Sequence, residues 1–556
     1  MNQNKKSEID REKREFILFL AKTTGAVWLL RFFPVSSFLS GLGCGISSNG
    51  GMKISYELFP QSVASGDITQ SSVVLWTRTA GDTSPIVVQV SESKDFSSII
   101  FQDVLTPKAD DDFTLKKKIE NLSPGKRYYY RFLKDNLSSP VGTFKTIEKN
   151  PDRIRFAFIS CQDYSNGFYS AFYHLSKENI DFVVHLGDYI YETISAPTFQ
   201  YAQLRQFELP SGRKTAYELS DYRALYKVYR SDRYLQAVHE SFPFYIIWDD
   251  HEFANDSAQT LSPDNGKDFY GSDEQVRRRL DASRAWYEYM PADVYFNPTE
   301  QDPLKQIKIF RKFEFGTLMR LIMTDERLYR SPHPCGEGTV GQRYLAAFCG
   351  KMEETTMLGP EQLDWFLKEL ESSHKDGVIW KIHGNEVCIS QMIFGTSSTG
   401  QISYLNLDQW DGYDGERKKI FNFIKEKQIR NYVAVTGDLH TFVAGELYDD
   451  FFNPKEKVGV EFTATSITSA NLGSLLRLDE KTLESIENKL LEFNRNLKFF
   501  NSHYHGYAIC DVTPDEIVVE FWRVSSIEEP EVEKTEKILL KKFRVRKDTN
   551  TIEEIG

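Results

Sequence analysis

The sequence contains little cysteine. Six cysteines occur among 556 residues, and no two of them form a CxxC pair. This excludes a disulfide-rich scaffold and the zinc sites that are built from paired cysteines. Cys335 and Cys349 are close enough in sequence to close a short loop if the protein is exported. Two unpaired cysteines in a loop region are an equally consistent interpretation.

The sequence also lacks the features of several other protein classes. It has 68 Lys and Arg residues against 80 Asp and Glu residues, and the resulting charge of −12 argues against a general nucleic-acid binder. A mean hydropathy of −0.44 excludes a protein with many membrane spans. The sequence contains no GxSxG serine elbow and no P-loop, so neither of those chemistries is expected.

The N-terminal segment has the pattern of an export signal. A charged stretch precedes an apolar run from Phe16 to Gly45 that two basic residues interrupt, which is typical of a signal and not of a transmembrane helix. Lys13-Arg14 resembles a twin-arginine signal with lysine in the first position, and Leu42-Gly43-Cys44 resembles a loose lipoprotein processing site. We therefore expect residues 1–45 to direct export to the periplasm or the cell surface. An uncleaved anchor at the membrane surface is the alternative.

Short alternating runs separated by turns follow the signal. They predict a small all-β sandwich of the fibronectin III or immunoglobulin type over residues 46–148. The runs that carry this prediction are 72–78, 86–90, 127–132 and 141–146. Residues 149–152 are expected to be a linker, because their proline interrupts a strand ladder.

From residue 152 the pattern changes to buried strands that alternate with helices. This predicts an α/β (α+β) domain over residues 152–546, with helices flanking a sheet core, and a tail at 547–556. The predicted strands are 155–159, 182–186, 244–248, 318–323, 378–382 and 432–435, with further strand-like patterning at 456–466 and 506–545. The predicted helices are 168–179, 216–230, 273–289, 360–373 and 415–427, and a helix around 479–496 is expected to cover the site.

Four of these strands end in side chains that can carry chemistry. The segments are SCQD at 160–163, GDYIYE at 187–192, DDHEFAN at 249–255 and TGDLH at 436–440. Ligands of α/β sheets bind beyond the carboxyl ends of the strands. The four segments therefore predict a metal site that several loops assemble on a rigid scaffold.

The residue types indicate which metals would bind. Thiolate, phenolate, imidazole and carboxylate together suit a transition metal such as iron, whereas shells rich in aspartate favour calcium, magnesium or manganese. This mixture indicates two ions close together, with Asp188 as a bridge because a carboxylate has two oxygens. Each motif alone has an ordinary explanation, since Gly-Asp often forms a turn and a lone cysteine is often a small buried hydrophobic residue.

The motifs resemble those of a known family. Residues 59–78 look like the N-terminal β domain of the PhoD-like alkaline phosphatase/phosphodiesterases, relatives of the purple acid phosphatases within the calcineurin-like metallophosphoesterases. The resemblance extends from about Tyr56 to Val545. The core motifs that match in order are SCQD at 160–163, GDYIYE at 187–192, WDDHE at 248–252, TDERLYR at 324–330, LGPEQLDWF at 358–366, WKIHGNE at 380–386 and GDLH at 437–440.

The resemblance implies a metallophosphoesterase β-sandwich core and a set of metal ligands. Fe³⁺ and Ca²⁺ are the implied metals, with Mn²⁺ or Mg²⁺ as alternatives at the second site. The implied iron ligands are Cys161, Asp188, Tyr191 and His440. The implied ligands of the second metal are the bridging Asp188 with Asp250 and Asp438. Asn385, Asn255 and Asp325 are candidates for further oxygen ligands.

The resemblance also implies catalytic roles. His251 is the candidate general acid, and Arg327 and Arg330 are candidates to bind substrate phosphate. The alternative for the two arginines is a solvated or paired place at the surface. His383 stands where an apolar residue is expected, and we predict a core histidine there in preference to a ligand.

The predicted function is hydrolysis of phosphate monoesters or diesters by a hydroxide that the metals activate. A phospholipase D-like or teichoic-acid phosphodiesterase is an alternative substrate assignment. A surface-tethered binding protein with a degenerate metal site is the alternative from another class. No nucleic-acid partner is expected, and the oligomeric state is not predicted.

Overall fold

The computed structural model of the protein describes residues 52–194, 200, 202–263, 271–337, 343–344, 346–396, 401–476 and 478–556. The predicted export segment at 1–45 lies outside the described residues. Within the described part of the chain, no helix combines the length and the apolarity that a bilayer span requires.

The region before residue 150 is all-β, as predicted. Its strands are β1 (Lys53–Ile54), β2 (Val63–Gly66), β3 (Val73–Arg78), β4 (Ile86–Ser91), β5 (Ile99–Leu105), β6 (Thr114–Ile119), β7 (Arg127–Lys134), β8 (Leu137–Ser138) and β9 (Gly142–Lys145). The four predicted runs correspond to β3, β4, β7 and β9. No run was predicted for β1, β2, β5, β6 or β8; of these, β5 is largely exposed and β6 carries three consecutive lysines.

The later strands form most of the core. They are β10 (Ile154–Ile159), β11 (Phe182–Leu186), β12 (Phe244–Ile247), β13 (Tyr295–Phe296), β14 (Ile307–Lys308), β15 (Arg311–Phe315), β16 (Met319–Met323), β17 (Trp380–Gly384), β18 (Ile393–Thr396), β19 (Ile402–Tyr404), β20 (Tyr432–Thr436), β21 (Phe442–Tyr448), β22 (Lys457–Thr463), β23 (Leu497–Asn501), β24 (Gly506–Val512), β25 (Glu516–Val524), β26 (Lys537–Arg546) and β27 (Ile552–Glu554).

The helices lie between these strands. They are α1 (Ser170–Leu175), α2 (Leu219–Tyr229), α3 (Arg233–Ser241), α4 (Asp273–Tyr289), α5 (Pro303–Gln306), α6 (Gly359–Lys375), α7 (Asp414–Glu426), α8 (Leu472–Leu476) and α9 (Glu480–Phe493). Helix α4 has the predicted bounds, and α1 is shorter than predicted. Helix α3 was not predicted. Helix α9 packs on β23 and β18, and its role as a cover over the site stays a prediction.

The N-terminal strands form two layers, and one of them continues into the core. Strands β1, β8, β7, β4 and β5 form one sheet in that order, with β9 beside β7. Strands β2, β3 and β6 instead extend a ten-stranded sheet in the order β27-β26-β25-β24-β10-β11-β12-β2-β3-β6. Gly66 lies opposite Phe244, and the Asp67 backbone N donates a hydrogen bond of 3.0 Å to the Phe244 O. The N-terminal region is therefore continuous with the core, because β2 covers the edge of β12.

A second sheet packs face to face against the ten-stranded one. It contains seven strands in the order β15-β16-β17-β20-β22-β21-β23. Aromatic rings join the two layers, with ring centroids 5.2 Å apart for Phe182 and Phe315 and 4.8 Å apart for Phe442 and Phe521. The predicted helix-flanked α/β core is present, and it takes the form of two packed mixed sheets.

The topology aligns the strand ends that carry the candidate residues. Strands β10, β11 and β12 are parallel neighbours in the first sheet, and β16, β17 and β20 are parallel neighbours in the second. Parallel neighbours end at the same sheet edge. The loops after these strands therefore meet at one end of the sandwich.

Candidate metal centre

Four of the candidate ligands follow a strand closely and share a special backbone conformation. Cys161 follows β10, Asp188 follows β11, and Asp438 and His440 follow β20. All four have positive φ angles, from 53° at His440 to 60° at Cys161. This left-handed conformation is unfavourable for residues other than glycine, and such strain concentrates at functional sites.

The first group of ligand atoms contains a thiol, a carboxylate, an imidazole and a phenol. The ligand atoms of Cys161, Asp188 and His440 all lie within 4.8 Å of one another. The Tyr191 Oη lies 2.8 Å from Asp188 Oδ2 and 3.1 Å from His440 Nε2. His440 Nδ1 is 2.7 Å from the Ala470 carbonyl oxygen, which assigns the proton to Nδ1 and turns Nε2 toward the group. The structure thus brings together all four predicted iron ligands.

A second group shares Asp188 with the first. Ligand atoms of Asp188, Asp250 and His251 lie within 4.8 Å of one another. The His251 backbone N donates to Asp188 Oδ1 at 3.3 Å and to Asp250 Oδ1 at 3.0 Å. Asp188 therefore stands between the two groups, as a bridging ligand must.

A third group contains an aspartate that was not predicted. Ligand atoms of Asp249, Asp250 and Asp438 also lie within 4.8 Å of one another. Asp249 lies beside Asp250 in the DDHE segment, so the sequence offered a signal for it. The second and third groups share Asp250, which connects Asp188 with Asp438.

Burial favours the neutral forms of these side chains when no cation is present. Burial, followed by the charge of Asp188, raises the pKa of the Cys161 thiol and of the Tyr191 phenol well above their usual values. Burial also raises the pKa of Asp188. Because an ionised group is costly to bury without a partner, a bound cation is what would keep this donor set ionised.

His251 forms a buried pair with Glu192, which was not assigned a role from the sequence. The His251 Nδ1 lies 2.6 Å from Glu192 Oε2, and the His251 ring stacks on that of Tyr191 at 4.0 Å between centroids. Burial opposes the charged imidazole, but the carboxylates of Glu192, Asp188 and Asp250 outweigh it and raise the pKa of His251 well above its usual value. Glu192 directly follows Tyr191, so its place in the GDYIYE segment was the available signal.

Glu252 holds the loops that follow β11 and β12. Its carboxylate accepts hydrogen bonds from the backbone nitrogens of Asp188 at 2.9 Å, Tyr189 at 2.7 Å and Asp249 at 2.8 Å. Burial raises the pKa of Glu252 to about 8. Nothing in the sequence distinguishes this structural carboxylate from the neighbouring candidate ligands.

The chain is similar to known phosphatases over most of its length. A model of the PhoD-like phosphatase family matches residues 156–521, and a model of its N-terminal domain matches residues 46–148. Alkaline phosphatase D of Bacillus subtilis strain 168 is 32% identical in an alignment of 523 residues that covers 90% of this chain and 85% of that protein. A solved structure of PhoD has a TM-score of 0.79 at 31% identity, with 90% of this chain and 92% of that chain covered.

The chain belongs to the PhoD-like phosphatase family. Membership confirms the resemblance found in the sequence, the fold class and the assignment as a phosphoric ester hydrolase. The groups of candidate ligands are compatible with the metal dependence that the resemblance implies.

Two of the three further oxygen ligands expected of this PhoD-like phosphatase have side chains that are bonded elsewhere. The Asn385 side-chain oxygen accepts from Trp410 Nε1 at 3.1 Å, and its amide nitrogen donates to the Val387 O. Asp325 is in none of the three groups, and its Oδ1 accepts from the backbone nitrogens of Arg327 and Leu328. The Asn255 backbone N donates a hydrogen bond to Glu192 Oε1 at 2.9 Å, and Asn255 is partly exposed. Metal binding by these three residues stays a prediction.

The two arginines are buried, which differs from the surface alternative. The side chains of Arg327 and Arg330 have no exposed area, and both pair with Asp408. Their predicted contact with substrate phosphate stays a prediction.

His383 is a buried residue whose ring nitrogens lie 2.7 Å from the hydroxyls of Thr324 and Tyr432, as expected of a core histidine. Cys335 and Cys349 form a disulfide.

Gly187 allows the loops of Asp188 and Asp249 to approach each other, which generates a prediction. Its φ is 96°, and a Cβ built on it would lie 2.3 Å from Asp249 Cβ. Gly187→Ala should therefore displace the ligand loops and lower phosphatase activity by about a hundredfold, as steady-state kinetics would measure. Gly212→Ala is the matched control, because Gly212 has a φ of 70° but no atom within 4 Å of such a Cβ. Equal activity in both variants would contradict the prediction.

Proposed function

We propose that the chain hydrolyses phosphate esters with two metal ions held at the carboxyl ends of its strands. The observation that carries the proposal is the position of Asp188, whose ligand atoms belong to two groups of donors at once. Two close metal ions can stabilise both the attacking and the leaving oxygen of a phosphoester, and a carboxylate that belongs to both groups could hold two ions close together.

The donor chemistry of the first group suits Fe³⁺. Cys161, Tyr191 and His440 supply sulfur, phenol oxygen and nitrogen, and Asp188 supplies a carboxylate. Thiolate and imidazole ligands select transition metals, in contrast to magnesium or calcium.

The donor chemistry of the second site suits a hard divalent cation. Asp188, Asp250 and Asp438 would supply carboxylate oxygens, the ligands that Ca²⁺ prefers, with Mn²⁺ or Mg²⁺ as alternatives. An intact set of ligands at both sites favours an enzyme over a binding protein with a degenerate site.

The residues of the chain would supply the proton transfer. When bound, the metals would offset the charge of the phosphoryl group and lower the pKa of a water. His251 would donate its Nε2 proton to the oxygen of the leaving alkoxide. Glu192, at 2.6 Å from Nδ1, would fix the orientation of the ring and stabilise the charged imidazole before transfer. No serine nucleophile is required.

The metal ligands are tested by changing Asp188. We expect Asp188→Ala to abolish activity and to release metal, because this residue would serve both sites. Metal content by plasma mass spectrometry and turnover of a chromogenic phosphate monoester and a matching diester provide the measurements. Asp364→Asn is the control, since Asp364 pairs with Lys368 at the surface. Wild-type turnover with Asp188→Ala would refute the site, and wild-type protein that turns over neither ester would favour a binding protein.

The proton donor is tested by the choice of leaving group. We expect His251→Gln to slow hydrolysis of an alkyl phosphate by about 10²–10⁴-fold, and to slow a nitrophenyl phosphate much less, because nitrophenolate leaves without a proton. Glu192→Gln should also slow hydrolysis of both substrates, but by a smaller factor than His251→Gln.

The control for this test is His174→Gln. His174 lies on helix α1, is hydrogen-bonded to Thr535 and belongs to none of the three ligand groups. Equal slowing of both substrates by His251→Gln would contradict the role as general acid. The ratio of the monoester and diester rates of the wild-type protein would identify its substrate class.

We further propose that the chain is exported to the periplasm or the cell surface. The signal-like pattern at 1–45 supports this, and the Cys335–Cys349 disulfide suits an oxidising compartment. N-terminal sequencing of the mature chain should show cleavage near Cys44, with recovery in the membrane fraction if Cys44 is lipidated. A mature cytoplasmic chain that begins at Met1 would contradict export.

A further inference from the structure

Arg327 lies among four aspartates next to the proposed second metal site. Its Nη1 is 2.8 Å from Asp408 Oδ2, its Nη2 is 2.9 Å from Asp438 Oδ1, and its Nε is hydrogen-bonded to Asp249 Oδ1. Asp250 Oδ1 lies 3.8 Å from Nη2. Each nitrogen of the guanidinium is therefore bonded to a carboxylate of the protein.

These contacts are buried, and the exposure differs between the two sides of the guanidinium. The side chains of Arg327 and Asp249 have no exposed area, and those of Asp408 and Asp250 have 1% and 2%. Asp438 is the most exposed, at 14%. Asp438, the most exposed of these carboxylates, is thus a proposed metal ligand. The Arg327 guanidinium lies on its buried side.

The charges of the cluster leave a deficit that one divalent cation would fill. Asp408 is paired with both Arg327 and Arg330. The negative charge of Asp408 offsets the positive charge of Arg330. When ionised, Asp249, Asp250 and Asp438 then carry three negative charges against the single positive charge of Arg327. The remaining charge of minus two, counted without the shared ligand Asp188, favours a divalent cation beside Asp250 and Asp438.

Arg327 also fixes the orientation of the carboxylates. The Asp438 side chain is held at both oxygens, by Arg327 at Oδ1 and by the Gln409 amide at Oδ2. Groups that hydrogen-bond to metal ligands orient them, and the loss of such a group commonly weakens metal binding by about 10–100-fold. A residue that points into carboxylates in this way is poorly placed to bind a phosphate, because it would first have to leave them.

We propose that Arg327 is a positioning residue that orients Asp438 through a hydrogen bond and attracts Asp250 through its charge, for binding of the second metal, in place of the phosphate-binding role expected from the sequence. This inference rests on the two-metal function proposed above. Arg327 acts through the carboxylates and does not contact the substrate.

Asp408 would hold Arg327 from the side away from the metal. Its Oδ2 accepts from Arg327, and its Oδ1 accepts from Arg330 and lies 2.7 Å from His333 Nε2. The guanidinium of Arg327 is thereby fixed between Asp408 and the ligands. Asp408 belongs to none of the three groups of candidate ligands, so its substitution tests positioning without removal of a ligand.

The experiment measures calcium affinity and kinetics separately. Arg327→Lys keeps the positive charge but has a single nitrogen, and so it cannot bond to several carboxylates at once. We expect the Kd for Ca²⁺, measured by isothermal titration calorimetry on protein depleted of divalent cations, to rise about 10–100-fold. At saturating Ca²⁺, the KM for a chromogenic ester and the inhibition constant for inorganic phosphate should stay within about twofold of wild type. Asp408→Asn should raise the Kd in the same direction by a smaller factor.

Arg417→Lys is the matched control, because Arg417 is equally buried and pairs with Asp411 and Asp414. Its Kd for Ca²⁺ should equal that of wild type, and thermal unfolding of all variants separates a local change from loss of the fold. A raised KM and a raised phosphate inhibition constant with an unchanged Kd for Ca²⁺ in Arg327→Lys would overturn the inference and support the phosphate-binding role. An unchanged Kd in both Arg327→Lys and Asp408→Asn would also overturn it. Wild-type protein that binds none of Ca²⁺, Mn²⁺ and Mg²⁺ would overturn the proposed two-metal function itself. That outcome is seen in the wild-type protein and is therefore distinct from any result obtained with an Arg327 variant.

Discussion

The hydrogen bonds of the Glu252 carboxylate determine how the site is assembled. Its three hydrogen bonds tie the turn after β11 to the turn after β12, and these are adjacent parallel strands. The two turns can then approach closely because residue 187 is a glycine, on which a Cβ would lie 2.3 Å from Asp249 Cβ. The positive φ of Asp188 is unfavourable in isolation and is maintained by this set of contacts. The same loops carry Asp250 and His251, so one buried carboxylate orders ligands of both proposed metals.

Concentrated negative charge is the main energetic problem of such a site. Burial of several aspartates without partners would drive them to the neutral form. The protein meets this on one side with Arg327 and Arg330, which are buried against Asp249, Asp408 and Asp438. On the other side the partner would be a metal. The arginines and the proposed metals would therefore divide the neutralisation of one cluster, which is the physical basis of the positioning role proposed for Arg327.

The sequence allowed most of the fold and the ligand types to be predicted, because both depend on local patterns. Buried strands and their reactive ends are visible as apolar runs followed by Cys161, Asp188, Asp250 and Asp438. What could not be predicted depends on distant parts of the chain. The pairing of β2 with β12 joins residues far apart in sequence, and Asp408 meets Arg327 across a separation of 81 residues. An arginine in a polar segment is also expected at the surface. The sequence alone therefore does not show that Arg327 and Arg330 are buried.

The distribution of charge explains how an acidic protein can process an anionic substrate. The formal charge of −12 would repel phosphate if side-chain cations had to attract it. In this structure Arg327 and Arg330 are buried, and each is bonded to Asp408. The positive charge that meets the phosphoryl group must then come from the proposed metals and from His251, whose pKa is raised by Glu192, Asp188 and Asp250 against the effect of burial. Part of the excess of carboxylates is thus accounted for by the proposed metal ligands, and the overall charge does not by itself oppose an anionic substrate.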